Sequence, residues 1–300
     1  MKNRWARWVA FLSRREDATP LAIARIIAGS TVAMHLATMA WTGVARGMWV
    51  DQRHGGAFPL YVEAPLRWIG GPTPLNVNVL LAIGILGALF LTAGAFTRAA
   101  AIATWFSWRT LTGINDNAGG SSDDLILNIL FLLMLSGCGN ALSVDATYRG
   151  RRDEIPAWPR WLIITQLVVM YWTTALQKVS IGWIPGGPLD ALWYILQQPT
   201  WQRFSMRWLA PFYPLTQLAT LVTWCFEQSA PLLLLAFWFR ITRDRPGKIR
   251  AWFNRVDFRL KYLALGLVLH VGIWLAMEVG PFFNGVLACY ERLGIPSRAG

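Results

Sequence analysis

The sequence predicts an all-α fold: a polytopic transmembrane helical bundle of about seven spans, with its N-terminus inside and its C-terminus outside. Three observations carry this. The apolar set AVILMFWYC makes up 55% of the 300 residues and charged residues only 15%, where an ordinary globular domain carries roughly 25% charged. Apolar segments of about 20 residues, the length of one crossing, recur along the chain. Basic residues fall mostly in alternate loops. A soluble fold could not hide 18 Trp, 15 Phe and 7 Tyr. Disorder, collagen and a disulfide-stapled mini-domain are excluded as well. Cys138, Cys225 and Cys289 are scattered, without CxxC or metal-ligand spacing. They read as core residues, and no metal site is expected.

The elements follow in order. Residues 1–18 are basic and amphipathic: Trp5, Trp8, Val9 and Leu12 share one helical face, and Lys2, Arg4, Arg7, Arg14 and Arg15 surround it. They form either an interfacial helix on the anionic inner surface or a plain positive flank. Residues 19–285 form the bundle. Its expected spans are Pro20–Gly43, Leu75–Ala95, Ala99–Gly113, Asp124–Leu142, Pro159–Val179, Leu215–Phe239 and Lys261–Phe283. The outer loops 44–74 and 180–214 are long and aromatic, suited to short interfacial helices. Residues 286–300 read as a short tail.

Topology accounts for the net charge of +12, so nucleic acid is not an expected partner. With the N-terminus inside, 18 of the 28 Lys and Arg fall in inner segments and 7 in outer ones; Arg25, Arg109 and Lys178 lie in or beside spans. This split sets the orientation. The expected location is the inner (cytoplasmic) membrane, crossed several times.

An ionisable group at bilayer depth costs roughly 2.5–3.5 kcal/mol at a helix centre, so it pairs or lines a cavity. At about 1.5 Å per residue, Arg109, Glu227 and His270 come to the same depth near the midplane. We expect an Arg109–Glu227 ion pair supported by His270, at the floor of a polar cleft open to the outer face. Arg25 and His35 read as packing residues. Lys178 lies near the outer end of the fifth span. It either snorkels to water or, desolvated, gives up its proton and serves as a base. Asp123 and Asp124 lack EF-hand spacing and read as a solvated start to the fourth helix. No GxSxG, HExxH, Walker or GxGxxG pattern stands in a supporting context.

Five pieces of this sequence are familiar together. They are Pro20 with Arg25; Arg109 with the later Asn117-Ala-Gly-Gly-Ser-Ser-Asp-Asp124; Ser143-Val144-Asp145; Gln177-Lys178…Trp183…Gly186; and Glu227 with Pro231. In this order, over roughly residues 20 to 238, the chain resembles the HTTM family, the membrane module shared with vitamin K-dependent gamma-glutamyl carboxylase. The resemblance implies that Lys178 matches the carboxylase lysine that deprotonates reduced vitamin K. Oxygen then adds to the quinol, the base so formed removes a proton from glutamate, and the carbanion captures carbon dioxide. Two departures stand beside it. The carboxylase has a large soluble region after its membrane module, whereas this sequence ends soon after its last span. The carboxylase also has an Asn-His pair where Ser121-Ser122 stands here. Both point away from protein carboxylation and leave quinol chemistry open.

The expected function is therefore quinol-dependent oxygen or carboxylation-type chemistry, with Lys178 as base. Arg109, Asn117, Asp124, Trp183, Glu227 and His270 are the expected substrate- or quinone-binding residues. The expected cofactor is a reduced quinone of the vitamin K or menaquinone type. Expected partners are membrane lipids, the quinol and a small or peptide substrate at the outer face. The alternative is a catalytically silent membrane subunit that helps peptide maturation or export and binds a partner protein. A transporter is the third reading, disfavoured because no inverted repeat is visible.

Overall fold

Prolines mark where the long helices start, since a proline in the first turn loses no hydrogen bond and is already at helical φ. In the computed structural model, which describes residues 2–59, 61–115, 119–150 and 152–294, Pro20, Pro74, Pro214 and Pro231 all sit at the first or second helical position. The principal helices are α1 (Lys2–Leu12), α2 (Thr19–Trp41), α3 (Pro74–Ala93), α4 (Thr97–Thr112), α5 (Ser121–Leu135) and α6 (Trp158–Gln177). They continue with α7 (Tyr213–Gln228), α8 (Pro231–Ile241), α9 (Lys248–Val256), α10 (Phe258–Ala276) and α11 (Phe282–Gly294). Short helices Val44–Trp49, Ala64–Trp68 and Ala191–Gln197 punctuate the aromatic loops.

All seven expected apolar segments are helical. By length and hydropathy, α2, α3 and α10 can cross a membrane. The stretch Arg207–Gln228 with Pro231–Ile241 makes a fourth candidate, bent by 53°. Three segments differ from expectation. The seventh ends at Ala276 rather than Phe283, and a separate helix begins at Phe282. The fourth helix stops at Leu135 rather than Leu142, and the sixth is broken at Ser229–Ala230 because Pro231 has no N–H with which to continue the ladder of α7.

The described chain divides into two compact units, Met1–Ile163 with Gly280–Gly300, and Ile164–Val279. In the first, α3 packs between α2 and α4, α4 packs on α5, and α11 packs on α2 and α5. Small residues allow the close approach that membrane helices use. A Cβ on Gly29 would lie 2.5 Å from Thr92 Oγ1, and one on Gly87 would lie 2.9 Å from Thr104 Oγ1. Ser107 Oγ donates across to the Leu80 carbonyl at 2.5 Å. Leu36, Leu81, Leu91, Trp108, Leu111 and Leu130 fill the core. A two-stranded antiparallel ribbon, β1 (Arg15–Asp17) with β2 (Glu154–Pro156), ties the start of α2 to the start of α6. Arg160 Nε bonds Glu16 Oε2 across it at 2.7 Å.

Arg25 is fully buried in this unit. Its guanidinium donates to the carbonyls of Cys138 (2.8 Å), Ala141 (3.3 Å) and Leu142. A cation near the carbonyl end of α5 suits that helix's dipole, so Arg25 works as a strut for the turn that follows.

In the second unit α10 packs against α7 and α8, and α9 lies against α8. Asn254 Nδ2 donates to the Phe239 carbonyl at 3.1 Å. Ala191–Gln197 rests on α7, where the Leu192 N–H donates to Thr220 Oγ1 at 3.3 Å.

Candidate functional site

Helix α6 ends at Gln177, and Lys178 is the first residue beyond it. Tyr171 and Ala175, four apart on that helix, share one buried face, and Lys178 follows three residues after Ala175, its N–H donating to the Ala175 carbonyl at 3.2 Å. Glu227 stands in the last turn of α7, just before the break at Pro231. The Lys178 Nζ and Glu227 Oε2 atoms form an ion pair whose side chains are only 15% and 12% exposed. Gln228 Nε2 donates to the Ala175 carbonyl at 3.5 Å beside it.

Trp183 completes the arrangement, its ring centroid 4.8 Å from Lys178 Nζ. The aromatic face attracts the ammonium. The loop that carries this ring is closed by its own backbone. The Trp183 N–H donates to Ser180 O, the Gly187 N–H to Ile184 O, and the Ala191 N–H to Gly182 O, at 2.9, 3.1 and 3.2 Å. Gly187 is demanded by space: a Cβ there would lie 2.0 Å from the Ile181 carbonyl oxygen.

A second polar group lies on the same unit. His270 Nδ1 is 2.6 Å from the Gly266 carbonyl, which can only accept, so Nδ1 carries the hydrogen. In the neutral ring Nε2 then accepts from the Tyr171 hydroxyl at 3.1 Å. Tyr171 meets Phe226 edge-on at 5.1 Å, and Phe226 stacks on Tyr262 at 4.4 Å. Tyr262 Oη donates to the Phe226 carbonyl at 3.0 Å. This aromatic wall abuts Glu227 through the chain itself.

A family model of the HTTM domain matches residues 13–200. The chain belongs to the HTTM family. HTTM is the domain found in vitamin K-dependent gamma-carboxylase-like proteins, and this HTTM chain is a membrane protein of that family. No curated protein and no solved structure matches it. The matched HTTM stretch contains Lys178 and Trp183, while Glu227, Tyr262 and His270 lie beyond it.

The HTTM chain thus brings three of its expected site residues together: Lys178, Trp183 and Glu227. The expected Arg109–Glu227 pair is corrected. Arg109 pairs instead with Glu63, at 2.8 Å, and Glu227 pairs with Lys178. Depth counting placed residues by height on straight helices. It could not see that the loop after α2 folds back to present Glu63, or that α7 breaks beside Glu227. His270 is bonded to Tyr171 and Gly266. Asp124 is exposed in the first turn of α5, where a carboxylate suits the helix dipole. Asn117 lies outside the described residues. Sequence reasoning missed Glu63, Tyr171 and Tyr262. Tyr171, seven residues before Lys178, was within reach of the 3.6-residue period.

Proposed function

We propose that this HTTM protein performs quinol-dependent chemistry of the carboxylase type, with the Lys178–Glu227 pair as proton acceptor. The observation that carries the reading is a lysine amine held between a carboxylate and a tryptophan ring, with little access to water. A base must be free of its own proton. Passing the Lys178 proton to Glu227 Oε2 leaves two neutral groups, which a low-dielectric site tolerates better than separated charges. Nζ then accepts a hydroxyl proton, and Glu227 holds the one it received.

The residues fit a reduced quinone. The amine–carboxylate pair suits one acidic hydroxyl, and Trp172, Leu176, Val179 and Ile181, exposed apolar residues flanking Lys178 in the chain, suit a flat ring and an isoprenoid tail. When bound, a reduced quinone supplies that hydroxyl and, with oxygen, the strong base the chemistry needs. Trp183 orients the amine. The acceptor is a small or peptide substrate at the outer face. The same proposal places seven crossings in the inner membrane, N-terminus in and C-terminus out.

The ion pair also favours a second reading. As a closed pair it ties α6 to α7 in a catalytically silent subunit. The test is full-length protein in detergent with reduced menaquinone or vitamin K, oxygen and bicarbonate, read for quinone epoxide by mass spectrometry. The expected result is epoxide from the wild type, reduced at least about 100-fold in Lys178→Gln, the scale of losing a general base. No epoxide from folded wild type across several quinols would overturn the catalytic reading in favour of the silent subunit.

A further inference from the structure

The turn between α5 and the short helix Val144–Arg149 encloses something the proposed chemistry does not use. A cavity of about 220 Å³ opens here, lined by Thr97, Arg98, Asn140, Asp145, Arg149 and Arg152 together with residues 136–139. It has room for about seven waters at roughly 30 Å³ each.

Its hydrogen-bonding capacity is one-sided. Every carbonyl from Gly137 to Leu142 already has a donor. Gly137 O accepts from the Asn140 N–H and Asn140 O from the Arg152 N–H. Gly139 O accepts from Ser143 Oγ at 2.5 Å. Arg25 takes the carbonyls of Cys138, Ala141 and Leu142. The one lining carboxylate is also engaged. Asp145 Oδ1 accepts from the Phe96 N–H at 2.9 Å, and Oδ2 accepts from the Thr97 N–H and Oγ1 at 2.8 and 2.7 Å. The donors at the rim are the reverse case. Among the described residues no hydrogen bond or ion pair engages the guanidinium groups of Arg98 and Arg152. Arg149 adds a third positive charge beside Asp145.

A cavity whose 137–142 carbonyls and carboxylate are engaged, and whose arginine forks are open, favours an anion over a cation. Forked guanidinium donors match the oxygens of a phosphate group, and basic pockets at helix ends hold lipid headgroups. We propose that this cavity is a phosphate-binding site, taking either the headgroup of an anionic phospholipid or a soluble phosphomonoester. Arg25, buried beneath it, preorganises the site by turning the carbonyls away. The size suits a headgroup and excludes a larger organic ligand, whose pockets run to roughly 300–1,000 Å³.

The experiment uses the full chain in detergent and measures thermal unfolding against added dioleoyl-phosphatidylglycerol, dioleoyl-phosphatidylcholine or inorganic phosphate at constant ionic strength. Saturable stabilisation by phosphatidylglycerol alone assigns the lipid, and saturation by inorganic phosphate as well assigns the soluble anion; both support the site. The Arg98→Gln/Arg152→Gln double variant, changed only at exposed positions, then binds at least about tenfold more weakly. Arg46→Gln/Arg53→Gln, which removes the same charge elsewhere, retains affinity. No saturable shift with either probe, unchanged affinity in the first double variant, or an equal loss in the second would overturn the proposal.

Discussion

Glu227 occupies the last turn of α7, where the helix's carbonyl end repels a carboxylate, whereas Lys178 sits at the carbonyl end of α6, where a cation is favoured. The carboxylate therefore depends on the amine more than the amine depends on it. Removing either partner leaves a mostly buried charge alone. Lys178→Met and Glu227→Gln should each cost on the order of 3 kcal/mol, the low end for breaking a buried pair, with Lys178→Met the worse. The double variant should recover most of that loss in detergent melts while remaining without epoxide activity. Two single losses that simply add would show that the groups do not interact. Lys178 and Trp183 were legible in the sequence because they fall in one short segment. Glu227 was legible as a buried ionisable group, but its pairing with Lys178 was not, because that depends on a helix break and a two-helix contact that periodicity along a single helix does not encode. Glu63 was hidden for the same reason, in a loop with no period at all.

Loop and helix junctions carry the next level of control. Asp145, two residues after Ser143 and second in the short helix Val144–Arg149, reaches back to cap the start of α4 through three hydrogen bonds. Burial works against its charge, but the bonds from Thr97 and Phe96, aided by Arg149, outweigh it and hold its carboxyl below the usual aspartate range. A depressed folded pKa stabilises the fold above the unfolded value, near 3.9, and the benefit is lost as pH falls through the folded value. Asp145→Ala should thus cost about 1–2 kcal/mol at neutral pH, the worth of a helix cap. The gap to wild type should stay constant down to about pH 5 and close below about pH 4; a gap that widened in acid would contradict the cap. The Trp183 loop makes the companion case. Gly187→Ala forces a Cβ against the Ile181 backbone and should cost about 1–3 kcal/mol, as overpacking does. Gly272→Ala in α10, with open space around it, should be neutral or stabilise by up to about 1 kcal/mol in the same melts. The helices themselves were readable from apolar length. Their junctions were not, because Asp145 serves a helix 48 residues earlier in the chain.

At the scale of the molecule, topology reduces to parity. By length and hydropathy α2, α3 and α10 can cross, and a fourth crossing follows if the bent pair is one span; four is an even number that returns the C-terminus to the side of the N-terminus. At about 1.5 Å per residue, α4 and α5 reach about 24 and 22 Å, short of a hydrocarbon core of about 30 Å. Whether they cross or turn back together, they change the count by two or by none. The deciding element is α6, whose 20 residues span about 30 Å. If α6 crosses, the stretch between α8 and α10, with its five basic residues Arg243, Arg245, Lys248, Arg250 and Arg255, faces inward as the positive-inside rule requires. If α6 does not cross, those charges face outward and Lys178 loses its place near the outer surface. Alkaline phosphatase fused after Gly300 should therefore be active, and green fluorescent protein there should be dark. At Asp244, between α8 and α9, the two reporters should behave the opposite way. Fluorescence at the C-terminus with phosphatase activity at Asp244 would remove α6 from the membrane, and with it the outer-face placement of the Lys178–Glu227 pair.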